Sequence, residues 1–559
     1  MHDLVVSNAR IIDGSGGEAF HGNVAVANGR IVDVGANVGA GRQQVDAQGL
    51  ALAPGIIDTH THYDAQITWD PFLSPSPALG VTTAIMGNCG FTIAPCRPED
   101  RELTMRNLTH VEGMSLDALR NGIDWGFQSF PEYLNQLQSR GVGLNVACFV
   151  GHSSVRTFVM REDSAKRAAT ESEVARMREL VVEAMAAGAV GFSTTRSGQH
   201  NGEAGIPMPS RLANEQELIA LSSALKDAGR GVLMMTKDSR TTSMAAIENL
   251  AAAAGRPYVV AALLHSTETP EATFEDLAAI GAARARGNQL YGAVSACPLN
   301  FEFTMHEPYV FEGLASWRPV MEAATKDVPA LLASRELRDS VKQELSVRAR
   351  RMFNGHWHQM YVAQVALEKN REMEGLSVDQ LGRAAGKHPL DFALDLALEE
   401  KLDTMFTATL LNSDEQAVGQ MMLNPNSMIS LSDAGAHLTF LCDAGFGLHV
   451  LGHWVREKKL MPLEQAIHRI TAEPARIFGI ADRGRVKPGH CADLLLFDPS
   501  TVGRGPSRRV HDLPAGASRL TTAAIGVHGV WVNGARVADA SGMLADAPKA
   551  GQVLRKFNA

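Results

Sequence analysis

The sequence predicts an α/β protein, a (β/α)8 TIM-like barrel with a small β-sandwich domain formed from both chain ends. Three observations carry this expectation. Both termini read as short strands joined by Asn-Gly turns, the long middle alternates strand-like and helix-like segments, and an early apolar run ends in His60-Thr61-His62. Alternation of that kind is the pattern of parallel strands covered by helices.

The first segment, residues 1–55, carries Asn28-Gly29 between Val24-Ala25-Val26 and Ile31-Val32. Both turn residues accept positive φ, so the pair marks a hairpin. Residues 481–559 repeat the device, with Asn533-Gly534 between Val530-Trp531-Val532 and Ala535-Arg536-Val537. Residues 56–480 form the expected barrel. One unit shows its pattern. Thr170 and Glu173 have the spacing of a capping box, Val174, Met177, Val181 and Met185 recur at helical intervals, and Gly188 stops the helix. The buried-strand candidate Ala189 to Ser193 follows. Residues around 300–380 fit the alternation poorly and read as insertions shaping a pocket.

With 559 residues, 45% hydrophobic and 20% charged, the chain has an ordinary globular composition and room for a large barrel plus a module. The net charge of −9 comes without any Lys/Arg run, which argues against nucleic acid as a partner. Met1 to Val6 lacks the basic flank of a signal peptide, and apolar runs such as Val142 to Val150 are too short to cross a bilayer. The six cysteines are scattered and form no CxxC, as expected of reduced thiols in a cytoplasmic protein.

The chemistry concentrates at strand ends. In Asp58-Thr59-His60-Thr61-His62-Tyr63-Asp64, alternation along the strand puts both imidazoles on one face, where they suit Zn²⁺ or a similar divalent ion. Cys89 in Gly87-Asn88-Cys89-Gly90 ends the next strand and could reach the same ion as thiolate; its other reading is a small buried thiol. Asp433 in Leu431-Ser432-Asp433-Ala434-Gly435 ends a late strand. It reads as a ligand and proton acceptor, or as an Asx-turn residue. His437 orients substrate or caps a helix. His152, His265 and Lys237 each end a strand-like run and are further candidates, each with a structural alternative. His356, His358, His453 and His468 have no metal-ligand spacing.

Pro54-Gly55-Ile56-Ile57-Asp58-Thr59-His60-Thr61-His62 resembles the first-strand signature of the amidohydrolase superfamily. Pro488-Gly489-His490-Cys491-Ala492-Asp493-Leu494-Leu495 resembles the segment where such chains re-enter the small β domain. The motifs around Cys89, Gly151-His152 with Arg156, Gly188 to Thr194 and Ser432-Asp433 are similar to the D-aminoacylase branch, the N-acyl-D-amino-acid deacylases. The resemblance implies that His60, His62, Cys89 and Asp433 surround a divalent metal, usually zinc, with His265 as a further ligand. It also implies that Asp433 acts as general base and then protonates the leaving amine.

The sequence departs from this branch in three places. The fifth strand reads Leu233-Met234-Met235-Thr236-Lys237, where relatives carry a His. The sixth ends Leu264-His265-Ser266-Thr267, without the expected Lys. The stretch 438–443 lacks the expected Arg. Relatives use that Lys and Arg to hold a substrate carboxylate. Arg196, after the fourth strand, is the candidate substitute, with His152 and His437 as the other substrate-binding candidates. The expected activity is metal-dependent hydrolysis of a linear amide in a small-molecule N-acyl compound, with one or two ions, nearer one, and a substrate that need not be a D-amino acid. Hydrolysis of a cyclic amide, carbamate or ester on the same fold, or an idle binding barrel, are the alternatives. No membrane partner is expected, and a homo-oligomer is compatible with the sequence.

Overall fold

A computed structural model describes every residue except Ser239, Arg240, Arg348, Arg350, Met352, Phe440 and Ala559, together with the side chains of His110, Val111 and Ala204. Phe440, within the stretch read as lacking arginine, thus lies outside the described residues.

Eight parallel strands follow one another in chain order: β1 Ile56–Thr61, β2 Val81–Met86, β3 Asn145–Gly151, β4 Gly191–Thr195, β5 Val232–Thr236, β6 Tyr258–Leu263, β7 Leu290–Val294 and β8 Ser427–Ile429. Nearly all their residues are buried, as expected of strands covered on both faces, which explains the continuous Val/Ile/Leu runs. The two edges meet. Thr61 bridges Ala434 in parallel, the His62 N–H donates to the Ala434 carbonyl at 2.8 Å, and the Thr59 and Ser430 hydroxyls lie 2.7 Å apart. The turn past β8 is therefore stitched to the end of β1.

The helix between β3 and β4 forms as its sequence dictates. The Thr170 hydroxyl accepts from the Glu173 N–H, the Glu173 carboxylate accepts from the Thr170 N–H, and Gly188 at φ 112° ends Glu171–Ala187. Between β7 and β8 the chain builds a separate layer. Leu299–Phe303, Met360–Gln364 and Met405–Leu411 form an antiparallel sheet over its own core of Phe303, Phe311, Trp317, Trp357 and Phe406. This insertion, expected around 300–380, thus takes in the strand to Leu411. The helices Val378–Ala384 and Pro389–Glu399 carry the chain back to its last strand.

Both chain ends enter one nine-stranded sheet. Ala51–Pro54 pairs antiparallel with Leu494–Phe497, which pairs with Val527–Val532. Both Asn-Gly turns hold positive φ, 51° and 74° at Asn28-Gly29, 48° and 81° at Asn533-Gly534. Among the described residues no helix is long and apolar enough to cross a membrane.

Asp493 locks the sheet to the barrel. It accepts from the Asn533 N–H at 2.8 Å, from Asn145 Nδ2 at the start of β3 at 3.1 Å, and from the buried Arg483 guanidinium. A buried ion pair that loses one partner leaves an uncompensated charge, at a cost of about 3–5 kcal/mol. Asp493→Ala is therefore expected to lower the unfolding free energy by an amount of that order, read as an earlier denaturation midpoint, with Asp493→Asn milder. An unchanged midpoint in chemical denaturation would show that the clamp does not hold the two layers together.

Candidate metal centre

The end of β1 presents His60 and His62 on one face, their ring centroids 5.3 Å apart. Both are buried. Beyond β2 the chain must turn sharply under β3. Gly87, at φ 85°, has no room for a side chain, since a Cβ there would lie 2.8 Å from the Phe149 carbonyl oxygen. Its N–H donates to Asp64 Oδ2 at 2.9 Å, and the turn brings Cys89 back at φ 56°. Cys89 Sγ then stands 3.5 Å from His60 Nε2 and 3.0 Å from Thr236 Oγ1 at the end of β5. The ligand atoms of His60, His62 and Cys89 all lie within 4.8 Å of one another.

Past β8 the backbone is again left-handed, at Leu431 (φ 66°), Asp433 (φ 46°) and His437 (φ 54°). Such conformations in non-glycine residues cost energy and gather where the surroundings impose them. Here the imposing contacts are the Ala434 bridge and the Ser432 hydroxyl, which donates to the His60 carbonyl at 3.0 Å. They deliver Asp433 Oδ1 to 3.1 Å from His60 Nε2 and 3.6 Å from His62 Nε2.

Burial pushes the His60 imidazole down to about 4 despite the neighbouring Asp433 carboxylate. Burial would raise Asp433, but His60, His62 and His437 outweigh it and hold its carboxyl well below the usual range. Burial raises the Cys89 thiol, with the neighbouring His62 and Thr236 opposing. Two imidazoles, a thiol and a carboxylate converging in a water-poor pocket are the donor set of a zinc-like ion, and a thiolate buried there needs a cation beside it. The residues fit such an ion: His60, His62 and Cys89 would hold it, with Asp433 beside them.

The other expected residues divide. His265, expected as a ligand, is not gathered with the other three; its ring lies against Phe274 and its backbone N–H donates to Asn412 Oδ1 at 2.7 Å. Its main chain is thereby tied to Asn412, which lies just beyond the insertion's last strand. His152, expected at the substrate, is fully buried with both nitrogens engaged, Nδ1 to Thr194 Oγ1 and Nε2 to Glu217, each at 2.8 Å. Arg156 joins the same Glu217. His152 belongs to a buried polar network at the opening of helix His152–Met160. Arg196 is half-buried and bonds the Ala213 carbonyl. His437 is half-buried near Asp433, its ring 6.4 Å from Phe301 of the insertion. Lys237 pairs with Asp276 on the helix after β6.

Two residues with no strand-end signal also meet at the site. Glu112, just past helix Arg101–Val111, places Oε1 3.2 Å from His62 Nδ1. His200 bonds Thr195 Oγ1 at 2.7 Å and packs edge-on to Phe91, which lies 6.1 Å from His62. Both Glu112 and His200 sit on connections, where periodicity says nothing about direction. Thr236, noted in the sequence as a missing His, turns out to be the hydrogen-bond partner of Cys89.

The description of the amidohydrolase family matches residues 43–538. D-aminoacylase from Alcaligenes xylosoxydans xylosoxydans is 29% identical over 543 residues, covering 96% of this chain and 94% of that protein. The N-acyl-D-aspartate deacylase of the same organism is 29% identical, covering 99% and 95%. The solved N-acyl-D-glutamate deacylase of Bordetella bronchiseptica, complexed with zinc and a phosphonate inhibitor, superposes with a TM-score of 0.67 at 26% identity, covering 99% of this chain and all of that one. With the fold, the strand-end donors and a match over most of its length, the chain belongs to the amidohydrolase family.

Proposed function

We propose that the protein is a metal-dependent deacylase that hydrolyses the amide of an N-acyl compound, with Asp433 as the proton carrier. The observation that carries this reading is the convergence of Asp433 with His60, His62 and Cys89. A divalent ion held there would polarise the substrate carbonyl and favour deprotonation of water. Asp433, ionised at neutral pH, takes a proton from the attacking water as its oxygen bonds the carbonyl carbon. The C–N bond then breaks, and Asp433 returns the proton to the departing nitrogen, leaving acid and amine.

The named deacylases with which the chain aligns act on N-acyl-D-amino acids. In this chain four of the described cations around the pocket are already paired with carboxylates, Lys237 with Asp276, Arg504 with Asp443, Arg519 with Asp512 and Arg509 with Glu302, while Arg196 is held by the Ala213 carbonyl. An arginine bound to a carboxylate has less to offer a second one. The favoured substrate is therefore an N-acyl amine whose amine half lacks a free α-carboxylate. Paired substrates differing only in that group are expected to show higher kcat/KM without it. Preference for the carboxylate form by tenfold or more would return the site to ordinary D-aminoacylase specificity.

The fifth strand supplies Thr236 in place of a nitrogen ligand, and His265 stands apart from the ligand group. Elemental analysis is therefore expected to find about one zinc-like ion per chain, with Cys89→Ala lowering occupancy by at least about tenfold. Two tightly held ions would contradict this reading of β5.

Asp433→Asn keeps the volume and removes the base. Turnover is expected to fall by about 10²-fold or more at unchanged metal content. A fall that tracks metal loss would make Asp433 a ligand first, and turnover within a few-fold of wild type would exclude the proton-transfer role.

A further inference from the structure

Glu112 stands in a place that ordinary stability disfavours. Its side chain is almost fully buried, and neither carboxylate oxygen has a hydrogen-bond donor among the described residues. It also caps the C-terminal end of helix Arg101–Val111, where the helix dipole is negative and an acidic group is repelled. A buried carboxylate without donors is costly unless a positive centre lies beside it.

The nearest such group is His62. Its Nδ1 stands 3.2 Å from Glu112 Oε1, at ion-pair distance though off the line of a formed hydrogen bond. On the other side of the ring, Nε2 faces Asp433 Oδ1 at 3.6 Å. An imidazole can ligate through Nε2 only if its single proton sits on Nδ1. The His62 backbone is already committed, since its N–H donates to Ala434. Ring torsion and tautomer are what remain to be set, and Glu112 touches the atom that decides both. The Glu112 main chain is tied in as well, because its carbonyl accepts from the Leu438 N–H at 3.2 Å, just past Asp433 and His437.

We propose that Glu112 is the positioning residue of the metal centre. Its carboxylate accepts the Nδ1 proton of His62, holds the tautomer that leaves Nε2 free for the ion, and adds negative charge behind the ligand. Carboxylates behind a ligating histidine typically strengthen metal binding 10–100-fold. Glu112 touches neither substrate nor the reacting atoms and acts through His62. The inference rests on the metal cluster and not on the choice of substrate.

The test is Zn²⁺ binding to metal-stripped protein, by competition with a chelating indicator, beside thermal unfolding of the same metal-free samples. Glu112→Gln is expected to weaken Zn²⁺ by about 10–100-fold, while the metal-free protein unfolds at the wild-type temperature or above, a buried charge having been removed. Glu112→Asp, which keeps the charge on a shorter arm, is expected to recover part of the affinity. In a His62→Ala background the Gln substitution should have no further effect. Zn²⁺ affinity within twofold of wild type in Glu112→Gln would overturn the proposal. So would a loss that merely follows a lower unfolding temperature, or an equal loss with His62 absent. No substrate enters the measurement, so its failure is distinct from failure of the deacylase reading.

Discussion

The site depends on the seam where the barrel closes. A ring of eight parallel strands must join its last strand to its first, and here the joint runs through Thr61, His62 and Ala434. The same few peptide groups that close the ring carry His60 and His62 on one side and Asp433 on the other. Residues 372 positions apart, His62 and Ala434, are held in register by main-chain hydrogen bonding, which side-chain changes do not remove. The left-handed backbone at Leu431, Asp433 and His437 follows from the same constraint. Between the end of β8 at Ile429 and Ala434 the chain has to bond back to β1 and still point a carboxylate at His60, and extended backbone cannot turn that tightly.

Layers added to the barrel complete the pocket. The insertion between β7 and β8 has its own aromatic core and therefore folds as a unit over the site, bringing Phe301 to His437. The C-terminal segment sends Arg509 to Glu302 of that insertion and to the Thr439 carbonyl, and Arg504 to Asp443. The loop after Asp433 is thus gripped from two sides by elements that no barrel requires. This arrangement lets the ligand set stay fixed while the walls that read the substrate vary.

The seam's residues were legible because their chemistry coincides with periodicity. His60 and His62 alternate along an apolar run, and Cys89 and Asp433 end runs of the same kind, so position along a strand implied direction. The same reasoning misplaced His152, which ends a strand-like run but opens a helix, and a helix turns its first side chain by its own geometry. It also overreached at His265, where Asn412 from beyond the insertion takes hold of the strand's end. Glu112 was invisible for the converse reason. It follows a helix on a connection, and only the folded chain reveals that this helix end abuts His62.

Four carboxylates crowd the two ligand histidines, and burial assigns them different work. Asp58 and Asp64 are sealed, and burial drives both up to about 7 against the hydrogen bonds and charges that oppose it. Asp58 accepts the His60 N–H at 3.3 Å and Asp64 holds the Gly87 turn, so each fixes backbone around a ligand. Glu112 is sealed too, against the back of His62. Asp433 alone keeps a side chain 24% exposed, and it is the one whose carboxyl is held far below neutrality by the histidines around it. A proton carrier must be ionised at working pH and open to the substrate, and these two conditions select the same residue. The acids that water cannot reach brace the backbone and ring positions around His60 and His62, and the one that water can reach is the one proposed to exchange protons with it.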